Sequence, residues 1–206
     1  MGHVITFAQQ KGGSGKTTLL AHLAHAEALK GRSVALIDLD PQASLTRWAE
    51  MAAIDGCTLI ETASYRASGD IRTAASQHDI TLIDCPGSVA SVLEAAIRES
   101  DLVLCPCQAS VMDIWATEAT LQMCAKEKTE ARIVLNRVPP RGLTADDASK
   151  TLKNKGKILK SRLGNRIAFA RGLAQGTTAL GLAGQQAAKA EVSAFQKEIA
   201  RLLKTL

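Results

Sequence analysis

The chain of 206 residues is expected to fold as an α/β protein, a mostly parallel twisted β-sheet flanked by helices on both faces. Three observations predict this. Short apolar runs recur along the chain without the alternation of a half-exposed strand, as in strands buried on both faces. Helix-length segments separate most of them, and a strand–helix alternation builds a parallel sheet. A glycine-rich stretch, Gly12-Gly13-Ser14-Gly15, falls between the first run and the first helix, where an α/β sheet places its ligand.

The elements follow in order. Val4, Ile5 and Phe7 mark a strand over His3–Gln10 that leads into the glycine loop. Thr17–Lys30 is a helix with Leu20, Leu23, Ala24 and Ala28 as its apolar positions, ended by Gly31. Ser33–Leu39 is a buried strand, and the same strand type returns at Thr58–Glu61, Ile80–Asp84, Leu102–Pro106 and Ala131–Asn136. Residues 142–162 read as a lysine-rich helix carrying Lys150, Lys153, Lys155, Lys157 and Lys160. Thr144 is its N-cap, with Asp146 and Asp147 in the first turn. A short strand is expected at Arg166–Phe169. The last helix, Ala187–Leu206, puts Val192, Phe195, Ile199, Leu202, Leu203 and Leu206 on one face. No repeat or low-complexity linker divides the chain, so residues 1–206 are expected to form a single domain.

Composition narrows the function classes. No apolar run approaches the roughly 18 residues of a membrane span, and the first strand starts too early to leave room for a signal peptide, which points to a cytoplasmic protein. The five cysteines lack the paired spacing of a zinc or redox site and are expected to be buried free thiols. The net charge of +5 hides an asymmetry. Residues 1–120 hold 8 basic against 14 acidic side chains, a net of −6; residues 121–206 hold 17 against 6, a net of +11. A basic half of this kind suits a polyanion partner. Aromatic residues are only 3% of the chain, too few for a platform that stacks single-stranded bases.

The loop Lys11-Gly12-Gly13-Ser14-Gly15-Lys16-Thr17-Thr18 has the chemistry of a phosphate cradle. Glycines let successive backbone N–H groups turn toward phosphate oxygens, and the following helix adds the positive end of its dipole. Lys16 is placed to reach the β- and γ-phosphates and the Thr17 hydroxyl to ligate Mg²⁺. Two features depart from an ordinary loop of this type: Gln10 stands at the position of the first glycine, and Lys11 is a second lysine.

Both departures resemble the deviant Walker A motif of the ParA/MinD superfamily of P-loop ATPases. Asp38-Leu39-Asp40-Pro41-Gln42 is similar to that family's switch I, and Leu82-Ile83-Asp84-Cys85-Pro86-Gly87 to its Walker B and switch II. Pro106, Ser110 and Asp113 match a further P-x-x-x-S-x-x-D element. The chain resembles a small ParA-type partitioning or positioning ATPase without an N-terminal helix-turn-helix.

The resemblance implies a set of roles. Lys11 is the lysine that crosses an ATP-sandwich homodimer to the partner's phosphates, where a cation stabilises charge redistributed in phosphoryl transfer. Lys11, Lys16 and Asp40 form the catalytic set, with Asp40 positioning the attacking water. Thr17, Asp38 and Asp84 hold Mg²⁺. Residues 11–18 with Asn136 and Arg137 bind ATP, Asn136 standing where the family reads the adenine edge; an asparagine at a strand end is also a common turn former. Arg166, Arg171 and Lys189 are the best candidates for nonspecific DNA contacts in the ATP-bound dimer, ahead of the lysines at 153–160. Hydrolysis is expected to be slow and stimulated by a ParB-like or cargo adaptor protein, with the protein associated with the nucleoid. The alternative is a MinD-like membrane-associated switch. It would use the amphipathic last helix, but the continuity of that helix's apolar stripe favours packing on the sheet.

Overall fold

The computed structural model describes residues 1–87, 89–139 and 150–206. Seven strands form one sheet: β1 (His3–Phe7), β2 (Val34–Asp38), β3 (Cys57–Ile60), β4 (Ile80–Asp84), β5 (Leu102–Cys107), β6 (Glu130–Val138) and β7 (Ile158–Gly164). Their order is β3-β2-β4-β1-β5-β6-β7, and every neighbouring pair is parallel. The register sets Phe7 beside Asp84 and Asp38 beside Asp84, so the C-terminal ends of β1, β2 and β4 finish together. The loops leaving those ends build the site.

Among the described residues seven helices have full ranges: α1 (Lys16–Ala28), α2 (Ser44–Ala52), α3 (Ala67–Gln77), α4 (Ala90–Arg98), α5 (Val111–Glu127), α6 (Ile167–Ala174) and α7 (Gln186–Leu203). Strand side chains alternate between two cores, the period-2 geometry of a strand covered on both faces. Ile5, Phe7, Val34, Leu36, Leu82 and Leu104 pack under α1, α2, α6 and α7. Val4, Ala35, Ile37, Ile83, Val103 and Cys105 face α3, α4 and Cys124 of α5. The apolar stripe of α7 is used on the sheet, as expected. Val192, Phe195, Ile199 and Leu203 are buried, each gaining about 2 kcal/mol over exposure before ordering costs. Leu206 lies beyond the helix and is exposed. All five cysteines are free thiols, four of them buried and Cys57 half-buried.

One region differs from the sequence-based expectation. The lysine-rich segment read as a helix to residue 162 is helical only through 150–153 within the described residues, and Ile158–Gly164 is the edge strand β7. Leu159 and Leu163 point inward while Lys160 and Arg162 alternate outward, and outward charge is how an edge strand discourages pairing with another chain. Lysine density was therefore a feature of the edge and carried no helical period. The expected strand at Arg166–Phe169 is instead the start of α6, since β7 already fills the sheet edge. The proposed cap Thr144 and first-turn Asp146 and Asp147 lie outside the described residues.

Candidate nucleotide site

The loop between β1 and α1 takes its path from glycine. Gly13 and Gly15 have φ of +76° and +97°, and a Cβ on Gly15 would stand 2.2 Å from the amide nitrogen of Asn136. Gly15 also immediately precedes α1, so the unbonded N–H groups of the first turn face the loop. Three side chains brace the loop from β-strand ends and the segment after β5. Asn136 donates to the Ser14 carbonyl at 2.8 Å, Gln108 to the Gly13 carbonyl at 2.9 Å, and Gln9 spans to the Pro106 carbonyl and the Thr117 hydroxyl at 3.1 and 2.8 Å. Gln9 is fully buried.

The two lysines part company. Lys16 is buried, its Nζ donating to the Gln9 carbonyl at 3.2 Å inside the curl of the loop. Lys11 is 39% exposed and reaches α5, its Nζ 2.5 Å from the fully buried carboxylate of Asp113. Ser110 Oγ, the N-cap of α5, accepts from the Asp113 backbone N–H and shares a short hydrogen bond with the Asp113 carboxylate. Ser110 thus caps α5 through the Asp113 N–H, and the Asp113 carboxylate it also bonds receives Lys11.

Three aspartates converge on the ends of β2 and β4. The Thr17 hydroxyl donates to Asp84 Oδ2 at 2.5 Å. Burial pushes the Asp84 carboxyl up to about 7, with the Thr17 bond and Lys16 opposing and Asp38 and Asp40 adding to the rise. Its Oδ1 is buried without a partner, as is Ser14 Oγ. Asp38 is spent on the next helix: it accepts from the Asp40 N–H at 3.0 Å and from the N–H and hydroxyl of Thr46 at 2.9 and 3.2 Å. Asp40 accepts the Gln42 N–H at 3.0 Å through Oδ1.

These elements enclose a cavity of about 710 Å³ that joins the loop to α2 and α6. Gly12, Gly13, Gly15, Lys16, Thr17, Thr18 and Asp40 line it together with Arg47, Met51, Leu173 and Arg137. Arg137 holds a left-handed φ of +50°, rare for a side chain of its kind. Lys11, Ser14, Asn136, Asp38 and Asp84 are not on the cavity wall. Among the described residues no group of three or more His, Cys, Asp or Glu forms a ready-made metal cage. Mg²⁺ beside phosphates uses few protein ligands, and an unpartnered buried carboxylate oxygen beside the Thr17 hydroxyl fits it.

The basic candidates sit apart from this cavity. Arg166 precedes α6 and is bound by Glu191 through Nε and Nη2 at 2.9 and 2.6 Å. Arg171 is exposed on α6, and Lys189 is half-buried on α7. Sequence reasoning missed Gln9, Gln108, Arg47, Met51 and Leu173. The first two look like ordinary strand-end residues, and the others meet only because α2 and α6 pack side by side.

A family model described as the CobQ/CobB/MinD/ParA nucleotide binding domain matches residues 5–179. The maintenance of carboxysome distribution protein A of Halothiobacillus neapolitanus is 27% identical, with 95% of each chain covered. Among solved structures, a Cyanothece McdA variant in complex with ATP superposes with a TM-score of 0.79 at 17% identity, covering 97% of this chain and 96% of that one. The septum site-determining protein MinD of Pyrococcus horikoshii OT3, complexed with Mg-ADP, gives 0.80 at 16% identity over 98% of both.

Proposed function

Because the chain belongs to the CobQ/CobB/MinD/ParA nucleotide-binding family, and is an ATPase of the ParA/MinD positioning type that uses ATP and Mg²⁺, we propose a cycle for it. ATP binding produces a homodimer, the dimer holds DNA without sequence preference, and hydrolysis stimulated by an adaptor protein releases it. The cargo moved in this way is a DNA locus or a protein assembly, in a nucleoid-associated cycle carried by one domain of 206 residues.

The separation of the two loop lysines carries the reading. Lys16 serves its own loop, whereas the partly exposed Lys11 ammonium pairs with Asp113 of α5, free to exchange it for the phosphates of a second copy. Two loops of like charge repel unless phosphates lie between them, so dimerisation depends on ATP. Thr17 and Asp84 would hold Mg²⁺, with Asp38 contributing through water, and the ion so held would supply neutralisation of the charge on the phosphoryl oxygens. Asp84 titrates near neutrality in the nucleotide-free site, and an adjacent cation favours its ionised form. Asp40 orients the attacking water with Oδ2, its Oδ1 being held by the Gln42 N–H. Gly12, Gly13, Ser14, Gly15 and Thr18 present backbone donors to the phosphates, Arg137 lines the cavity for the nucleoside, and Asn136 serves ATP binding by holding the Ser14 carbonyl.

Arg166, Arg171 and Lys189 supply the DNA contacts, within a segment of net charge +11. Such binding comes from phosphate neutralisation and counterion release, so it falls steeply with salt. Co-sedimentation with random-sequence DNA and with anionic liposomes, with and without ATP at low and high salt, tests this. ATP-dependent, salt-sensitive retention on DNA that weakens in Arg171→Gln is the expected result. Retention on liposomes but not on DNA would favour the membrane switch. Lys11→Ala is expected to remain monomeric with ATP in light scattering; an ATP-dependent dimer of wild-type stability refutes the cross-subunit role.

A further inference from the structure

The wall of the nucleotide cavity contains a cation with no assigned role. Arg47 lies in α2, the helix that begins four residues after Asp40, and lines the same cavity as Gly12, Lys16 and Thr17. At least six arginines pair with carboxylates, while the Arg47 guanidinium has no hydrogen-bond or ion-pair partner among the described residues. Its backbone is nonetheless held firmly. Leu45 is fully buried, Trp48 is nearly so and donates from Nε1 to the Thr177 carbonyl at 2.9 Å, and Asp38 caps Thr46. Ser44, Arg47 and Met51 recur at three- and four-residue spacing, so one face of this pinned helix is turned to the cavity. The charged residues on the cavity wall are Lys16, Arg47 and Arg137 against Asp40, a surplus of two positive charges.

An exposed guanidinium without a partner, on a rigid support at the wall of a cationic cavity that contains the phosphate loop, suits a polyphosphate. Arginine presents paired N–H donors that match phosphate oxygens, and loses less freedom per bond than lysine. We propose that Arg47 is a phosphate-contacting residue of the nucleotide site, gripping the phosphate chain of the bound nucleotide from the α2 side. This rests on the nucleotide occupying the Gly12–Thr18 loop, and it adds a direct tie between that nucleotide and the helix that follows Asp40. Nucleotide binding then engages α2 as well as the loop.

The test is direct titration of Mg-ATP and Mg-ADP by calorimetry, together with the melting temperature of the nucleotide-free protein. Arg47→Gln is expected to bind both nucleotides about tenfold more weakly, the scale of one charge-assisted contact, with its nucleotide-free melting temperature unchanged. Arg47→Lys should recover part of the loss. Glu50→Gln, an exposed change on the same helix, should bind as wild type. Wild-type affinity in Arg47→Gln overturns the proposal. So does wild-type affinity combined with weaker retention on DNA, which would move Arg47 to a polyanion surface. Lys16→Ala separates the premise: if it too binds as wild type, the loop is not the nucleotide site and the role of Arg47 falls with it.

Discussion

Lys11 and Asp113 stand 2.5 Å apart, one at the edge of the phosphate loop and the other fully buried at the start of α5. The pair ties the loop to α5 before any nucleotide or second subunit is involved. Its two halves are unequal, because only Lys11 retains contact with water.

Removing the lysine is therefore expected to damage the free monomer. Lys11→Ala leaves the Asp113 carboxylate buried with Ser110 as its remaining side-chain partner, at a cost of about 2 kcal/mol. Adding Asp113→Asn should restore most of it, since the stranded charge is gone. Urea unfolding without nucleotide measures both, and equal stability of Lys11→Ala and wild type would show that the ion pair contributes nothing.

Asn136 is expected to act on nucleotide affinity through the loop it holds. Asn136→Ala frees the Ser14 carbonyl and should weaken Mg-ATP binding several-fold, while Gly15→Ala should be worse because its Cβ would collide with Asn136 at a φ of +97°. If the asparagine only reads the base, Asn136→Ala will instead change the preference between ATP and GTP and leave affinity for inorganic triphosphate untouched. Calorimetry with the three ligands decides.

Trp48 offers an optical probe. In Trp115→Phe it is the sole tryptophan, and α2 joins it to both the cavity wall and the Thr177 carbonyl. Its emission is expected to shift on adding Mg-ATP. Trp48→Phe should lose about 1 kcal/mol of stability, the typical worth of the hydrogen bond it deletes.

Buried His22 predicts an acid-sensitive link. Its Nδ1–H donates to the Thr18 carbonyl at 2.7 Å and Nε2 accepts the Ala179 N–H at 3.0 Å, which requires the neutral ring. Burial, with a smaller push from His25, lowers its pKa to about 4, the Thr18 bond opposing. Below its ordinary value of 6.5 the unfolded chain takes up a proton that the native ring refuses. Stability is thus full above about pH 6.5, falls as pH drops toward 4 and levels off below, by about 3 kcal/mol in all. His22→Gln should flatten that part of the curve in chemical unfolding at stepped pH.

Legibility in the sequence followed the range of the signal. The loop at residues 11–18 could be read directly, because phosphate chemistry confines it to a short stretch, whereas the acids at 38, 40 and 84 were singled out by the family resemblance of the segments that carry them. Strands β1 to β6 were equally plain from their apolar runs. The exchange of helix and strand around residues 158–169 was not, since Lys157, Lys160 and Arg162 satisfy a solvated helix and an outward-facing edge strand alike.

By itself the sequence determined the α/β class, the phosphate loop, the family resemblance and the basic C-terminal half, all of them properties of local pattern or total charge. Tertiary structure decided how those residues are employed. It spent Asp38 on Thr46 and Asn136 on Ser14, gave Lys11 to Asp113, and brought Arg47 to the cavity that Lys16 lines. Each of these outcomes joins side chains from separate elements, and only packing across the sheet sets which donor meets which acceptor.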